Sequence, residues 1–220
     1  MSAMRMFIAL PLPDAVKEDL AEFLEPRQEA TFRSPGLRWT MPGQWHVTLA
    51  FLPDLSDRHT DELLERLQRA TLRRNPLVLR LVGAGAFPNA ARAKVLWTGV
   101  EHDGEELMRL AGGVRAAASK SGTTVGGGRF HPHLTLARLG VATDVTHLLD
   151  ALEQYESPPW QAREIALIAS HLGQGPNARP RHEVRATFTL GPPEVVSVHS
   201  SVSTDNAAIP HSAGAPPTMG

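Results

Sequence analysis

Two short segments of the sequence carry the same set of residues that can act on a phosphate ester. They are residues 46–49 (HVTL) and 133–136 (HLTL). Histidine, with an unperturbed pKa of about 6.5, gives or accepts a proton near neutral pH. A threonine hydroxyl donates a hydrogen bond to a non-bridging phosphate oxygen, where negative charge builds up in the transition state. The two copies together predict acid–base chemistry on a phosphate, and this scheme needs no metal.

Strand geometry predicts how each motif presents these groups. Both segments begin a predicted strand, and side chains alternate between the two faces of a strand. His46 and Thr48 then share one face, as do His133 and Thr135, while the Val and Leu residues pack behind them. If an approximate two-fold axis relates the two halves, the pairs face each other across a cleft. Such a cleft suits in-line attack on a cyclic phosphodiester, because one histidine activates water and the other protonates the leaving oxygen.

The elements that must position these motifs alternate between helices and groups of strands. Helices are predicted after Asp14 as the N-cap, over residues 57–72 and 104–120, and from about residue 144. Several strands follow one another without a helix between them, which favours antiparallel pairing and an α+β fold. The strands are predicted at residues 5–10, 37–40, 46–51, 77–81, 94–100, 130–139, 163–172 and 182–190.

Composition along the chain predicts its domain organisation. We expect one domain of two lobes over residues 1–194. Residues 195–220 are rich in Ser, Pro, Ala and Gly without an apolar period, which predicts a disordered tail. No stretch approaches the roughly 20 apolar residues that a membrane span needs, and Pro11 and Pro13 interrupt the apolar run near the N-terminus. We expect a cytoplasmic protein without a signal peptide, and a monomer.

The composition also excludes several kinds of chemistry. Cysteine is absent, which excludes disulfides, thiolate nucleophiles and cysteine-based zinc sites. The 22 Lys and Arg residues nearly balance the 23 Asp and Glu residues, for a net charge of -1. This balance argues against a broad basic surface for long nucleic acid, but it is compatible with a small site for one phosphate.

Three segments around the motifs resemble a known family. Residues 5–9 (RMFIA), 45–52 (WHVTLAFL) and 130–138 (FHPHLTLAR) are similar to the N-terminal strand and the two signature motifs of the 2H phosphoesterase superfamily. More narrowly, the chain resembles the RNA 2',3'-cyclic phosphodiesterases, historically called 2'-5' RNA ligases, over about residues 5 to 190. Two positions depart from the family pattern, since Pro53 stands where Gly is common and His182 where Tyr is common.

This resemblance implies a fold, a reaction and a set of site residues. The fold is bilobal, with two pseudo-symmetric lobes of antiparallel sheet lining a central cleft and helices outside. The reaction is hydrolysis of a 2',3'-cyclic phosphate to a 2'-phosphate, on RNA ends or small 2',3'-cyclic nucleotides, with no cofactor and no metal. His46 would be the proton donor to the leaving 3'-oxygen and His133 the proton acceptor that activates water. Thr48, Thr135 and Arg138 would bind the phosphate.

The residues leave other interpretations open. Ligation of RNA ends through a 2'-5' linkage would use the same side chains in the reverse direction, and a non-catalytic module would use them only to bind RNA phosphate. His131 and His133 have a spacing that can chelate a metal ion, and residues 126–128 (GGG) could cradle a phosphate. Strict alternation places Arg138 on the strand face away from His133, so a bulge is needed to bring it into the cleft.

Overall fold

The computed structural model describes residues 3–32, 34, 36–102 and 104–192. These residues form nine β-strands and four α-helices. In chain order they are β1 (Ala3–Pro11), α1 (Asp14–Ala30), β2 (Leu37–Trp39), β3 (His46–Ser56), α2 (Asp57–Thr71), β4 (Leu77–Phe87), β5 (Ala93–His102), α3 (Glu106–Lys120), β6 (His133–Thr143), α4 (Thr146–Leu152), β7 (Trp160–Ala162), β8 (Glu164–His171) and β9 (Arg181–Thr189).

The strands join one antiparallel sheet that curls into a half-barrel. Eight of them follow the spatial order β7-β4-β5-β6-β3-β1-β8-β9, and β2 pairs with β6 beside this path. The sheet divides into two lobes at its middle, because β3 and β6 share only one residue pair, Val47 with Leu134. The two strands that carry the histidine motifs are therefore neighbours at the junction of the lobes.

An approximate two-fold relation links the two lobes. In chain order, β1-α1-β3-α2-β4 is followed by β5-α3-β6-α4-β8, and the remaining strands are β2, β7 and the edge strand β9. The last strand of each series crosses to the other lobe, since β4 pairs with β5 and β8 pairs with β1. Each lobe thus contains strands from both halves of the sequence. Neither half of the sequence can complete a lobe alone.

Leucine-rich surfaces hold the helices against one face of the sheet. Val47 and Leu134, the apolar residues between His and Thr in the two motifs, are fully buried. They belong to the same core as Leu63 of α2 and Leu107 of α3. Burying each such side chain stabilises the fold by about 1.5–3 kcal/mol. Since the apolar residues occupy this face, the alternating His and Thr residues are left on the other face.

The predicted architecture is confirmed, with antiparallel strands in two lobes and helices outside. The short strand β7 was not predicted, because three residues carry too little periodicity to identify a strand. The prediction that Asp14 caps α1 was wrong by one residue: Pro13 has the extended backbone of the N-cap and the helix begins at Asp14. The predicted tail, residues 195–220, lies outside the described residues, and the domain boundary at residue 194 stays a prediction. No helix in the described ranges is long and apolar enough to cross a membrane.

Candidate active site

A cleft of about 410 Å³ lies on the sheet face that carries the His and Thr residues, where the two lobes meet. Four arginines line this cleft, and no Asp or Glu of the described residues does. The whole chain, by contrast, has a net charge of -1. Positive charge is therefore concentrated in one concave site, which suits an anionic ligand. The four arginines are Arg5, Arg38, Arg138 and Arg179.

The four predicted motif side chains line this cleft together. His46 and Thr48 come from β3, and His133 and Thr135 come from β6; all four are partly buried. The antiparallel pairing of Val47 with Leu134 at the junction sets His46 beside Thr135 and Thr48 beside His133. Each histidine therefore lies next to the threonine of the other motif, an arrangement that encloses a ligand from two sides.

A β-bulge in each motif strand changes which residues reach the cleft. In β6, Thr135 pairs with Trp97 and Ala137 with Leu96, so the residue between them is unpaired and the alternation shifts by one position. The shift turns Arg138 towards the cleft. This is the bulge that the sequence analysis required for Arg138 to lie on the same face as His133. In β3, an equivalent shift between the partners of Ile8 and Ala9 turns Phe51 towards the cleft.

A backbone carbonyl determines the tautomer of His133. The Nδ1 atom lies 2.7 Å from the carbonyl oxygen of His131. A carbonyl oxygen only accepts hydrogen bonds, so Nδ1 must carry the hydrogen and donate it. In the neutral ring the Nε2 atom is then unprotonated and can accept a proton. The ring is thus oriented and in the tautomer that a general base requires.

Three aromatic rings surround His133 and restrict its orientation. The centroids of Phe87, Trp97 and His131 lie 5.0, 6.2 and 6.0 Å from that of His133. The Trp97 ring lies directly over Gly85, where an added Cβ atom would approach ring atoms to 2.2 Å. Because Gly85 has no side chain, the Trp97 ring can lie beside His131 and His133.

In the other lobe, an aromatic stacking contact restricts the orientation of the His46 ring. This ring stacks on Phe7, with centroids 4.3 Å apart and planes inclined by 19°. His182 contacts the His46 ring edge-on at 5.4 Å, and also contacts Phe7 at 5.0 Å. A backbone hydrogen bond with Gln44 adds a polar restraint. His182, one of the two residues that depart from the family pattern, is thus in direct contact with a motif histidine.

Burial keeps both motif histidines neutral when the cleft holds no ligand. Burial lowers the pKa of His46 from 6.5 to about 3, and the nearby His182 contributes to this lowering. Burial is also the largest cause that lowers the pKa of His133, with the charges of His131 and Arg138 acting in the same direction. A buried imidazole loses the hydration that stabilises its charged form. A bound anion would oppose this effect, because it favours the protonated ring.

Arg138 lies near enough to both motif histidines for its charge to lower their pKa values, and Arg5 and Arg38 lie near Arg138. Arg38 of β2 and Arg138 of β6 are register partners, so their side chains share one sheet face. The guanidinium of Arg5 lies over the Phe51 ring at 4.5 Å from its centroid. Burial lowers the pKa of Arg138 below its usual range, and the charges of Arg5 and Arg38 lower it further.

Several residues of the cleft were not identified from the sequence. Phe7 is buried, yet it borders the cleft and stacks on His46. Arg5 carried a recognisable signal, because it is a charged residue in an otherwise apolar strand, with Phe7 two positions later on the same face. Arg38 and Arg179 carried no such signal, since strand β2 is short and Arg179 lies outside the strands and helices.

The sequence suggested a metal site at His131 and His133 and a phosphate site at residues 126–128, and the structure gives both segments other surroundings. Across the described ranges, His, Asp and Glu side chains do not gather in groups of three that could hold a metal ion. In the loop of residues 126–128, the three carbonyl oxygens accept hydrogen bonds from Arg115 at 3.3 Å. These carbonyls face a cation, so the loop is built around an arginine and not around a phosphate.

Comparison with known proteins identifies the family. Residues 13–174 match the family model described as the 2'-5' RNA ligase superfamily. The chain belongs to this superfamily. Among its relatives within the superfamily is the RNA 2',3'-cyclic phosphodiesterase of Aquifex aeolicus, 29% identical over 195 residues, covering 87% of this chain and 100% of that protein. The RNA 2',3'-cyclic phosphodiesterase of Archaeoglobus fulgidus is 30% identical over 162 residues, which cover 74% of this chain and 86% of that protein. The resemblance inferred from the motifs is confirmed.

Solved structures of other proteins share the fold. The TT0787 protein of Thermus thermophilus superposes with a TM-score of 0.67 at 28% identity, covering 85% of this chain and 98% of that chain. E. coli LigT complexed with 3'-AMP superposes with a TM-score of 0.66 at 25% identity, covering 86% of this chain and 99% of that chain. This chain therefore shares its fold with both solved proteins over nearly the whole length of those proteins.

Proposed function

We propose that the protein hydrolyses 2',3'-cyclic phosphate ends of RNA, or of small cyclic nucleotides, to 2'-phosphates by a metal-independent two-histidine mechanism. The observation that carries the proposal is the pair of His–Thr motifs, each histidine beside the other motif's threonine, in one positively charged cleft. Relatives named RNA 2',3'-cyclic phosphodiesterase support the same reaction.

The proposed reaction begins at His133. Its unprotonated Nε2 accepts a proton from water, and the water oxygen forms a bond to phosphorus. The bond between phosphorus and the 3'-oxygen breaks in line with this attack. His46 donates a proton to the departing 3'-oxygen, so the product carries a 2'-phosphate and a free 3'-hydroxyl. One side chain thus removes a proton and the other supplies one, and the net reactant is one water molecule.

Thr48, Thr135 and Arg138 stabilise the transition state in this scheme. The two hydroxyls donate hydrogen bonds to the non-bridging oxygens, where charge increases as the water attacks. Arg138 contributes a fixed positive charge that reaches the cleft through the bulge in β6. Donors that are already in place need little reorganisation during the reaction, and losing one such donor typically costs about 100- to 1,000-fold in kcat.

The role of His46 as acid requires that it gains a proton when substrate binds. In the empty cleft its pKa of about 3 leaves it neutral at pH 7. The cyclic phosphate carries one negative charge, which attracts a proton to the adjacent imidazole and raises its pKa. Substrate binding and protonation of His46 are therefore coupled in this mechanism, and free enzyme and complex have different pH dependences.

The first test is hydrolysis of a short RNA ending in 2',3'-cyclic phosphate, in the presence of EDTA, with identification of the product. A 2'-phosphate end is the expected product. A 3'-phosphate end would reverse the roles of His46 and His133. Activity that disappears in EDTA and returns with added metal would contradict the metal-independent mechanism, and no turnover in either condition would contradict the proposed reaction.

Variants test the residue roles in the same assay. His46→Ala and His133→Ala should each lower kcat by about 100- to 10,000-fold, the usual contribution of a general acid or base. RNA binding, measured by fluorescence anisotropy, should persist in both. The control is His147→Ala, an exposed histidine of α4 on the helical side of the molecule. Full activity of either motif variant would mean that the histidines only bind phosphate.

A further inference from the structure

Strand β6 changes its partner along one of its edges, beside the cleft. β5 pairs along the other edge, while on this edge β3 pairs at Leu134 and β2 pairs from Ala137 to Leu139. The carbonyl groups of Thr135 and Leu136 lie in the interval between these two pairings. Backbone polar groups inside a fold need hydrogen-bond partners. This interval must therefore be filled by something other than a regular strand pairing.

Thr40, the residue that follows β2, fills the interval. Its hydroxyl oxygen lies 2.8 Å from the carbonyl oxygens of both Thr135 and Leu136, and its backbone N–H donates to Leu136 at 2.8 Å. A hydroxyl has one hydrogen, which it shares between these two carbonyls. Consecutive carbonyls of a regular strand point to opposite edges, so the bulge allows both to face Thr40. Thr40 thus holds the bulge that turns Arg138 towards the cleft.

The same hydroxyl is connected to the first motif through a buried tryptophan. Trp45, which immediately precedes His46, is 4% exposed, and its Nε1 atom lies 2.9 Å from the hydroxyl oxygen of Thr40. An indole N–H only donates, so the Thr40 oxygen accepts this hydrogen bond. One continuous chain of hydrogen bonds therefore runs from Trp45 through Thr40 to the backbone of the second motif.

We propose that Thr40 is a positioning residue for the hydrolysis, whose hydroxyl holds His46 in place relative to Thr135 and Arg138. The inference rests on the proposed function, in which these three side chains act on one phosphate. They come from two strands, β3 and β6, that share only one residue pair. The connection through Thr40 is a second restraint between these strands, and it acts where the bulge is formed.

Thr40→Val tests the hydroxyl, because valine is similar in shape and keeps the backbone N–H but cannot form the side-chain hydrogen bonds. In the cyclic-phosphate RNA assay we expect kcat to fall by about 10- to 100-fold, since a displacement on the order of 1 Å can cost about 100-fold. KM should change little, because the arginines of the cleft are unchanged. Thr40→Ser restores the hydroxyl and should recover most of kcat.

Thr71→Val is the matched control. Thr71 of α2 is fully buried, and its hydroxyl donates to the carbonyl oxygen of Gln68 at 3.1 Å. Both variants lose a buried hydroxyl, so both should unfold at a lower urea concentration than the wild type. Thr71→Val should nevertheless keep wild-type kcat. Equal losses of kcat in the two variants would mean general destabilisation and would refute the positioning role.

Trp45→Phe connects the effect to the chain of hydrogen bonds. It removes the indole N–H and should lower kcat. The loss in the double variant with Thr40→Val should be smaller than the product of the two single losses, because both changes break the same connection. Losses that multiply would show that Thr40 and Trp45 act independently, contrary to the inference.

The indole N–H signals of the four tryptophans give a readout by NMR that does not depend on activity. In Thr40→Val the signal of Trp45, assigned by its disappearance in Trp45→Phe, should shift and exchange faster with solvent. The signal of Trp39, whose Nε1 atom lies 3.0 Å from the hydroxyl oxygen of Thr31, is the internal reference and should stay unchanged.

The outcomes separate this inference from the proposed function. Wild-type kcat in Thr40→Val would overturn the positioning role and leave the proposed function standing. An unchanged Trp45 signal in Thr40→Val would disprove the connection itself, whatever the protein hydrolyses. If the wild type hydrolyses no cyclic-phosphate end, the proposed function fails and the positioning role fails with it.

Discussion

At the residue scale, the two motif histidines are equivalent in sequence but differ in their surroundings. His133 donates Nδ1–H to the carbonyl oxygen of His131 and is surrounded by aromatic rings at 5–6 Å. His46 stacks on Phe7 and is the more deeply buried of the two, with its pKa lowered to about 3. The same tetrapeptide therefore provides two imidazoles with different proton affinities, as a reaction that needs both an acid and a base requires.

The lowered pKa of His46 predicts a dependence of stability on pH. Between pH 6.5 and about 3 the unfolded chain binds a proton at this residue that the folded chain does not, so stability falls as pH falls through this window. The slope is about 1.4 kcal/mol per pH unit. Going from pH 6.5 to 5, the wild type should lose about 2 kcal/mol more free energy of unfolding than His46→Gln, measured with urea.

The control for this stability measurement is His147→Gln, which replaces an exposed histidine. This variant should lose stability with acid in parallel with the wild type. Equal losses in wild type and His46→Gln would contradict the burial of a neutral imidazole at position 46.

At the scale of elements, β-bulges and one glycine decide which side chains meet in the cleft. The bulges after Thr48 and Thr135 each reverse the alternation, and they bring Phe51 and Arg138 to the face of the histidines. In strand β4, Gly85 has no side chain and so leaves room for the Trp97 ring of the partner strand β5. The site thus depends on local irregularities of the strands as well as on their pattern.

Gly85→Ala should impair catalysis more than it impairs folding. The new Cβ would overlap the Trp97 ring, which has to move, and His131 and His133 pack beside that ring. A displacement on the order of 1 Å in a catalytic group costs up to about 100-fold in rate, so we expect a loss of roughly 10- to 100-fold in kcat. Circular dichroism and thermal unfolding establish that the assayed variant is folded.

Gly112→Ala in α3 is a matched control for this substitution, because a Cβ at Gly112 meets no atom within 4 Å. It should leave kcat unchanged and should not lower stability, since alanine favours helix over glycine. A Gly85→Ala protein that is folded and has wild-type kcat would show that Trp97 does not position His133.

At the scale of the whole molecule, the exchange of strands between lobes builds the cleft. β4 pairs with β5 and β8 pairs with β1, so both halves of the sequence contribute to each lobe. β3 and β6 pair only at Val47 and Leu134, and the cleft lies on the sheet face at this junction of the lobes. The chain carries a net charge of -1, yet four of its arginines are gathered where this junction opens.

This charge distribution predicts that salt weakens substrate binding. Rising ionic strength screens the attraction between the cleft and an anionic RNA end, so KM should rise with salt while kcat changes little. The slope of log KM against log salt should be steeper for a trinucleotide than for a cyclic mononucleotide, because more phosphates are neutralised. Equal slopes for the two substrates would mean that only the cyclic phosphate contacts the arginines.

The sequence by itself determined the candidate chemistry, the element types and the α+β class. The repeated motif paired each histidine with a threonine two residues later, and alternation along a strand is a local property that needs no knowledge of the rest of the fold. Apolar periodicity likewise predicted the helices and most strands, apart from the three-residue strand β7. The family resemblance then identified Arg138 and the approximate symmetry, but alternation alone placed this arginine on the wrong face.

Only the tertiary structure decided the environment of those residues. The bulge after Thr135 depends on how β6 pairs with β5, and pairing between distant strands is not encoded in local periodicity. The stacking of Phe7 on His46, the contact with His182 and the grouping of arginines join residues from distant parts of the sequence. Proton affinity depends on burial and neighbouring charges, so it is determined by the folded chain and not by the motif.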